Sequence, residues 1–168
     1  MKRVDATIQA RTGSSRLPGK VLRELEGKPL LQHQIERIRQ SKRIDRIILA
    51  TTDRPQDDAL AELADSVGID CFRGSEDDVI ARVCGALRTF NVETHAEFMG
   101  DNSIPDAGVI DHVIDKYFEL GESVDYVTNA LKTTYPPGLE VSVYRAATDR
   151  KSTRLNSSHT DISRMPSS

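Results

Sequence analysis

Short β-prone runs and apolar stripes at helical spacing take turns along this chain, and that alternation limits its fold more than any other feature. Val4 to Ile8 opens the series. Leu30, Leu31, Gln34, Ile35 and Ile38 then mark a helix within residues 30–41. Arg46 to Thr52 reads as a buried strand, and Ala59, Leu60, Leu63, Ala64 and Val67 form the next stripe, with Pro55 at its start and Gly68 as its stop. Ile69 to Arg73, the stripe from Val79 to Phe90, Thr94 to Met99, and the stripe Val109, Ile110, Val113, Ile114 and Tyr117 continue the pattern. Val124 to Thr128 and Glu140 to Tyr144 read as further strands. Strands alternating with helices imply an α/β architecture with a mainly parallel sheet covered on both faces. In such sheets ligands bind at the carboxyl ends of the strands. Four polar clusters follow strands here: residues 11–20, Thr51-Thr52-Asp53, residues 74–78 and Gly100-Asp101-Asn102. The alternation therefore predicts that they meet on one rim.

A length of 168 residues is enough for one domain with a real core. The longest apolar runs are only a few residues, too short for a transmembrane helix, and the start has no signal-peptide pattern. A cytoplasmic protein with no membrane partner is the expectation. Cys71 and Cys84 form no Cys-x-x-Cys motif and read as ordinary buried thiols of a reducing compartment. A net charge of −3, no Trp and 5% aromatic residues argue against nucleic acid as the main partner.

The segment from Arg11 to Lys20 carries the most chemistry. It gathers Arg11, Arg16 and Lys20 with Gly13, Ser14, Ser15 and Gly19. Glycines let backbone N–H groups approach an anion, Arg offers a fork to phosphate oxygens, and Lys adds a mobile charge. The set suits a polyphosphate. It is not a Walker A loop, because Pro18 stands where a second Gly is required and Val21 follows Lys20 where Ser or Thr is required. The Gly-x-Gly-x-x-Gly dinucleotide fingerprint is also absent. A solvated basic turn is the plain alternative, and three cations with small residues directly after a first strand count against it.

The run Gln9-Ala10-Arg11-Thr12-Gly13-Ser14-Ser15-Arg16-Leu17-Pro18-Gly19-Lys20 resembles the N-terminal signature of the sugar-acid cytidylyltransferases, which activate acylneuraminate and 3-deoxy-manno-octulosonate. The resemblance is greatest to the branch named for spore-coat polysaccharide biosynthesis protein F. Residues 50–55, 72–79 and 135–141 look like the same branch, in the same order, and the likeness covers residues 4–147. It implies a nucleotide-diphospho-sugar transferase fold, GT-A-like and Rossmann-like, built as a three-layer sandwich. It also implies transfer of a nucleoside monophosphate, from CTP in preference to other triphosphates, to a sugar or sugar acid, with release of pyrophosphate. Arg11 and Lys20 are then the residues that hold the triphosphate and stabilise the leaving group. Ala10, Gly13, Ser14 and Arg16 are further contacts in the same loop, with a surface salt bridge as the alternative for Arg16. Asp101 is implied as the magnesium ligand; by itself it reads as a turn residue after Gly100.

Thr52 and Asp53 are expected near the nucleoside, with capping of the helix at Pro55 as the alternative. Ser75 is a nucleotide-contact candidate and the expected N-cap of the following helix, and capping is preferred to ligand contact for Asp77. Asn129, Tyr135 and Glu140 are candidates for the acceptor sugar. His33, His95 and His112 have no paired ligand and receive no role.

The domain is expected over residues 1–148. Residues 149–168 are serine-rich with almost no apolar period, which predicts a disordered tail. Their back-translation spells the adapter of a sequencing library, so the natural domain is expected to be cut near Thr148. The resemblance implies that the missing part supplies a second metal-binding aspartate, part of the acceptor site and much of a homodimer contact. Two other readings stay open: a same-fold enzyme using another triphosphate and a sugar phosphate, and a non-catalytic nucleotide-binding module. The second draws on the less usual Asn102-Ser103-Ile104-Pro105 after Asp101.

Overall fold

A computed structural model describes residues 2–14, 17–131 and 135–146. Its elements are β1 (Asp5–Gln9), β2 (Glu24–Leu25), β3 (Lys28–Pro29), α1 (Leu30–Ile38), β4 (Arg46–Thr52), α2 (Asp58–Ser66), β5 (Asp70–Gly74), α3 (Val79–Thr89), β6 (Thr94–Met99), α4 (Ala107–Leu120), β7 (Tyr126–Thr128) and β8 (Ser142–Arg145). Each strand and helix read from the periodicity is present, with shifted ends. The last strand begins at Ser142 rather than Glu140, because the Glu140 carboxylate turns back to accept from the Gly138 N–H at 2.7 Å. Gly68 stops α2 as expected, with φ at +66°.

The main sheet has the order β5-β4-β1-β6-β8-β7. Its first four strands are parallel, and β8 pairs antiparallel with both β6 and β7, so the expected parallel sheet carries antiparallel pairing at one edge. The two-residue period of the strands divides the core. Ala6 and Ile8 of β1, Ile47 and Leu49 of β4, and Ala96 and Phe98 of β6 face α1, α2 and α4. Ile48 and Ala50 of β4 face α3 on the opposite side, with Phe72 and Val92. The buried Ile, Leu, Val and Phe side chains contribute about 1.5–3 kcal/mol each by leaving water. No helix among the described residues is long and apolar enough to cross a membrane.

The chain steps from β1 outward to β4 and β5, then crosses on the α3 face to β6, on the other side of β1. The crevice between the carboxyl ends of β1 and β6 is thus a topological switch point, the usual ligand position in an open α/β sheet. The sequence reading overlooked one feature. Glu26 and Gly27, with φ at +51° and +74°, form the two-residue turn of the β2–β3 hairpin between the first loop and α1.

Candidate functional site

The first loop leaves the sheet at Ala10, which is buried against Gly100 at the end of β6. The approach is close: a Cβ on Gly100 would lie 2.7 Å from the Ala10 Cβ and 2.9 Å from the Gln9 carbonyl oxygen. The Gly100 N–H donates to that carbonyl at 2.8 Å. Glycine is needed here to let two strand ends touch. The contact sets the Arg11 loop beside the Asp101 turn.

That turn is fixed from two further directions. The buried Gln34 of α1 donates its side-chain amide to the Met99 carbonyl at 2.8 Å, and the Asn102 N–H donates to the same carbonyl at 3.0 Å. The following segment is ordered too, since Arg37 donates to the Pro105 carbonyl at 2.7 Å and Asp106 caps α4 through the Val109 N–H.

Lys20 returns to the strand ends because the loop is closed by hydrogen bonds. The Thr12 carbonyl accepts from Ser14 N at 2.8 Å and from Gly19 N at 2.9 Å, and Gly19 takes a left-handed φ of +67°. Val21 is buried and anchors a 3-10 turn, Lys20–Leu22. The result is a Lys20 Nζ to Asp101 Oδ2 distance of 2.8 Å. The expected meeting of a loop cation and the carboxylate after β6 is therefore present.

The remaining rim loops form a second set of ion pairs. Arg11 lies 3.9 Å from a Glu76 oxygen, and Arg54 reaches the other Glu76 oxygen at 3.0 Å. Asp53 is exposed and its N–H donates to the Gly74 carbonyl at 2.9 Å. Gly13 is exposed, but a Cβ there would come within 3.1 Å of the Gln56 amide nitrogen. Ser14 is half-buried, with its N–H already directed to Thr12. Arg16 lies outside the described residues, as does the segment 149–168.

Several expectations change at this level of detail. Thr52 is fully buried and its hydroxyl donates to Asp57, so its side chain braces the rim instead of facing a nucleoside. Asp53 does not cap the turn at Pro55; the capping position falls on Arg54, with no side-chain hydrogen bond. Ser75 is not the N-cap of α3. Asp78 is, accepting from Ala81 N at 2.8 Å, while the Ser75 hydroxyl accepts from Asp78 N at 3.0 Å. Two such groups three residues apart compete for one cap, and the acidic side chain nearer the helix takes it.

The acceptor candidates divide. Glu140 is tied to the Asp101 turn through the Asn102 amide, which donates to it at 3.2 Å. Tyr135 is exposed beside a depression of about 20 Å³ that Asn129, Leu139 and Glu140 also line. The Asn129 amide is engaged internally, donating to the Leu139 carbonyl at 2.9 Å and accepting from Val141 N at 2.8 Å.

Three site residues were not found from the sequence. Glu76, within an acidic run, pairs with two arginines across the rim. Arg82 is 3% exposed; it donates to the Ser75 carbonyl at 2.6 Å and its Nε is unpartnered. Burial and the nearby Arg11 charge hold its pKa below the usual arginine range, against the opposing pull of Asp57 and Glu76. Asp57 is fully buried beneath Thr12 and Thr52. A single buried ion inside a polar helix start leaves no periodic signal. A cavity of about 520 Å³ lies at the opposite ends of the strands and is bordered by Lys2, Cys84, Thr94, Tyr117 and Arg145.

The cytidylyltransferase family model matches residues 6–159 of this chain. The chain belongs to the cytidylyltransferase family. Among solved structures, a cytidylyltransferase from Leptospira borgpetersenii superposes with a TM-score of 0.86 at 30% identity, over 99% of this chain and 67% of that one. The spore coat polysaccharide biosynthesis protein SpsF of Bacillus subtilis is 38% identical over 73% of this chain and 53% of its own length. A 3-deoxy-manno-octulosonate cytidylyltransferase of Aeromonas salmonicida is 38% identical over 58% of this chain and 36% of its own. This member of the cytidylyltransferase family spans about half the length of the curated relatives it matches first. The nucleotidyltransferase fold expected from the sequence is the one observed.

Proposed function

We propose that this chain binds CTP and serves transfer of its CMP moiety to a sugar or sugar acid, with pyrophosphate as the leaving group. The observation that carries the reading is the Lys20–Asp101 pair, 2.8 Å apart at the switch point of the sheet. Family membership supports the reaction class. The names of the Bacillus and Aeromonas relatives support CTP as donor, a sugar acid as acceptor and surface polysaccharide as destination.

The reaction is an in-line displacement. The acceptor oxygen attacks the α-phosphorus, the bond from that phosphorus to the bridging oxygen breaks, and pyrophosphate departs with the electron pair. The protein's task is to position the reactants and stabilise charge. Arg11 and Lys20 stand where the phosphate chain would lie, and carboxylates now occupy them: Glu76 beside Arg11 and Asp101 beside Lys20. These pairs are partly exposed, with Lys20 at 27% and Asp101 at 49%, so exchanging a carboxylate for a phosphate costs little. The Arg11 fork and the Lys20 ammonium then face the charge that grows on the leaving pyrophosphate. Tyr135 and Glu140 border the depression where the acceptor would sit, and Asn129 shapes it from behind.

Asp101 is the residue that would hold magnesium. It offers a hard, accessible oxygen at the strand end, and magnesium is commonly held by one or two carboxylates plus substrate phosphates. Among the described residues no three His, Cys, Asp or Glu side chains gather as a cage, so the donor set fits an ion shared with the substrate. Bound there, magnesium would neutralise phosphate charge.

The test is pyrophosphate release with CTP, magnesium and a panel including 3-deoxy-manno-octulosonate and an acylneuraminate. Release dependent on CTP and on one of these acids is expected. Release with another triphosphate and a sugar phosphate, and none with CTP, would overturn the reading.

A further inference from the structure

Asp57 is fully buried, yet the displacement described above gives it no contact with a reacting atom. A buried carboxylate is costly unless donors meet its oxygens. Here they do. One oxygen accepts from the Thr12 backbone N–H at 2.7 Å and from the Thr12 hydroxyl at 2.6 Å, and the other accepts from the Thr52 hydroxyl. Burial pushes the carboxyl up, but the hydrogen bonds from Thr12 and Thr52 and the Arg73 charge outweigh it and hold it below the usual Asp range.

Thr12 is where the first loop is held. Among the described residues between Ala10 and Val21 none is buried, so core packing fixes only the two ends of that stretch. Between them, the Thr12 carbonyl takes the Ser14 and Gly19 N–H groups. Arg11 precedes Thr12 directly, and Lys20 follows Gly19 directly. Both cations have long side chains, and where their heads can reach depends on where this backbone stands. On its other side Asp57 holds Thr52, which leads into Asp53 and Arg54, and Arg54 shares Glu76 with Arg11.

We propose that Asp57 is a positioning residue: acting through Thr12, it sets Arg11 and Lys20 where they grip the terminal phosphates of a nucleoside triphosphate. The inference rests on the nucleotide reading above. It predicts a defect in gripping the β- and γ-phosphates, and a general loss of structure would not produce that selectivity.

The test is calorimetric titration of the chain with CTP and with CMP, for the wild type, Asp57→Asn, Thr12→Val and Thr12→Ser, with melting curves alongside. Asn keeps the size of Asp57 but offers a single acceptor oxygen. Wild type should bind CTP more tightly than CMP. Asp57→Asn should weaken CTP by about 10–100-fold, the effect of losing hydrogen bonds to a charged group that aligns a binding loop, and weaken CMP far less. The CTP-to-CMP affinity ratio should therefore collapse. Thr12→Val should lose part of the ratio, and Thr12→Ser, which restores the hydroxyl, should keep it. If Asp57→Asn does not fold, the two Thr12 variants decide the matter. A folded Asp57→Asn or Thr12→Val with an unchanged ratio would overturn the proposal, as would an equal loss for both nucleotides. A wild type that binds neither nucleotide would remove the nucleotide reading and this proposal with it.

Discussion

Lys20 and Asp101 owe their proximity to contacts made by neighbours without charge. Gly100 allows β1 and β6 to touch at Ala10, and Gln34 clamps the Met99 carbonyl from α1. Gly100→Ala should therefore be harmful although glycine carries no function of its own. The added carbon would meet Ala10 at 2.7 Å, and overpacking of this kind costs about 1–3 kcal/mol, to be read from urea unfolding. Lys20→Ala should behave in the opposite way. Its ion pair is partly exposed and such pairs contribute about 0–1 kcal/mol, so stability should barely move while nucleotide affinity falls. A large loss of stability in Lys20→Ala would show that the pair is structural.

β6 carries a second buried group with a measurable consequence. His95 is fully buried beside Tyr144, with its Nδ1 3.2 Å from the Thr7 hydroxyl and its Nε2 unpartnered. Burial lowers its pKa to about 3, so the folded chain refuses a proton that the unfolded chain accepts below about 6.5. Its contribution is complete above that value and is lost as pH falls toward 3, at up to about 1.4 kcal/mol per pH unit. Replacing His95 with Gln should flatten the acid limb of a stability-versus-pH curve measured by urea unfolding, and an unchanged limb would contradict the assignment. Most strands and helices were legible in the sequence because periods of 2.0 and 3.6 survive in long apolar elements. The β2–β3 hairpin was not, since two-residue strands have no period and only the Glu26-Gly27 turn marks them. The antiparallel edge was not either, because direction is set by pairing partners far apart in sequence. Arg11 and Lys20 stood out in the sequence as cations of a glycine- and serine-containing loop, whereas Asp101 was a candidate only through the family resemblance. Asp57 was not, because its burial depends on Thr12, 45 positions away, and locally it belongs to a polar helix start.

Across the molecule the two ends of the sheet differ in kind. The carboxyl ends carry the ion-paired Arg11, Lys20, Arg54, Glu76 and Asp101, and a cavity of about 520 Å³ lies at the other end. The cavity and the chemistry thus point to different places, and the charges and the switch point of the sheet favour the first. A site built from exposed cations should also respond to ionic strength, with CTP affinity falling as salt rises. The most direct measurement is titration of CTP into the wild-type chain and into Lys20→Ala, with magnesium present. The structure predicts saturable one-to-one binding that the substitution weakens by about tenfold or more, the loss of one charge-assisted contact. Equal affinity in the two proteins, or no saturable binding of CTP to the wild type, would contradict it.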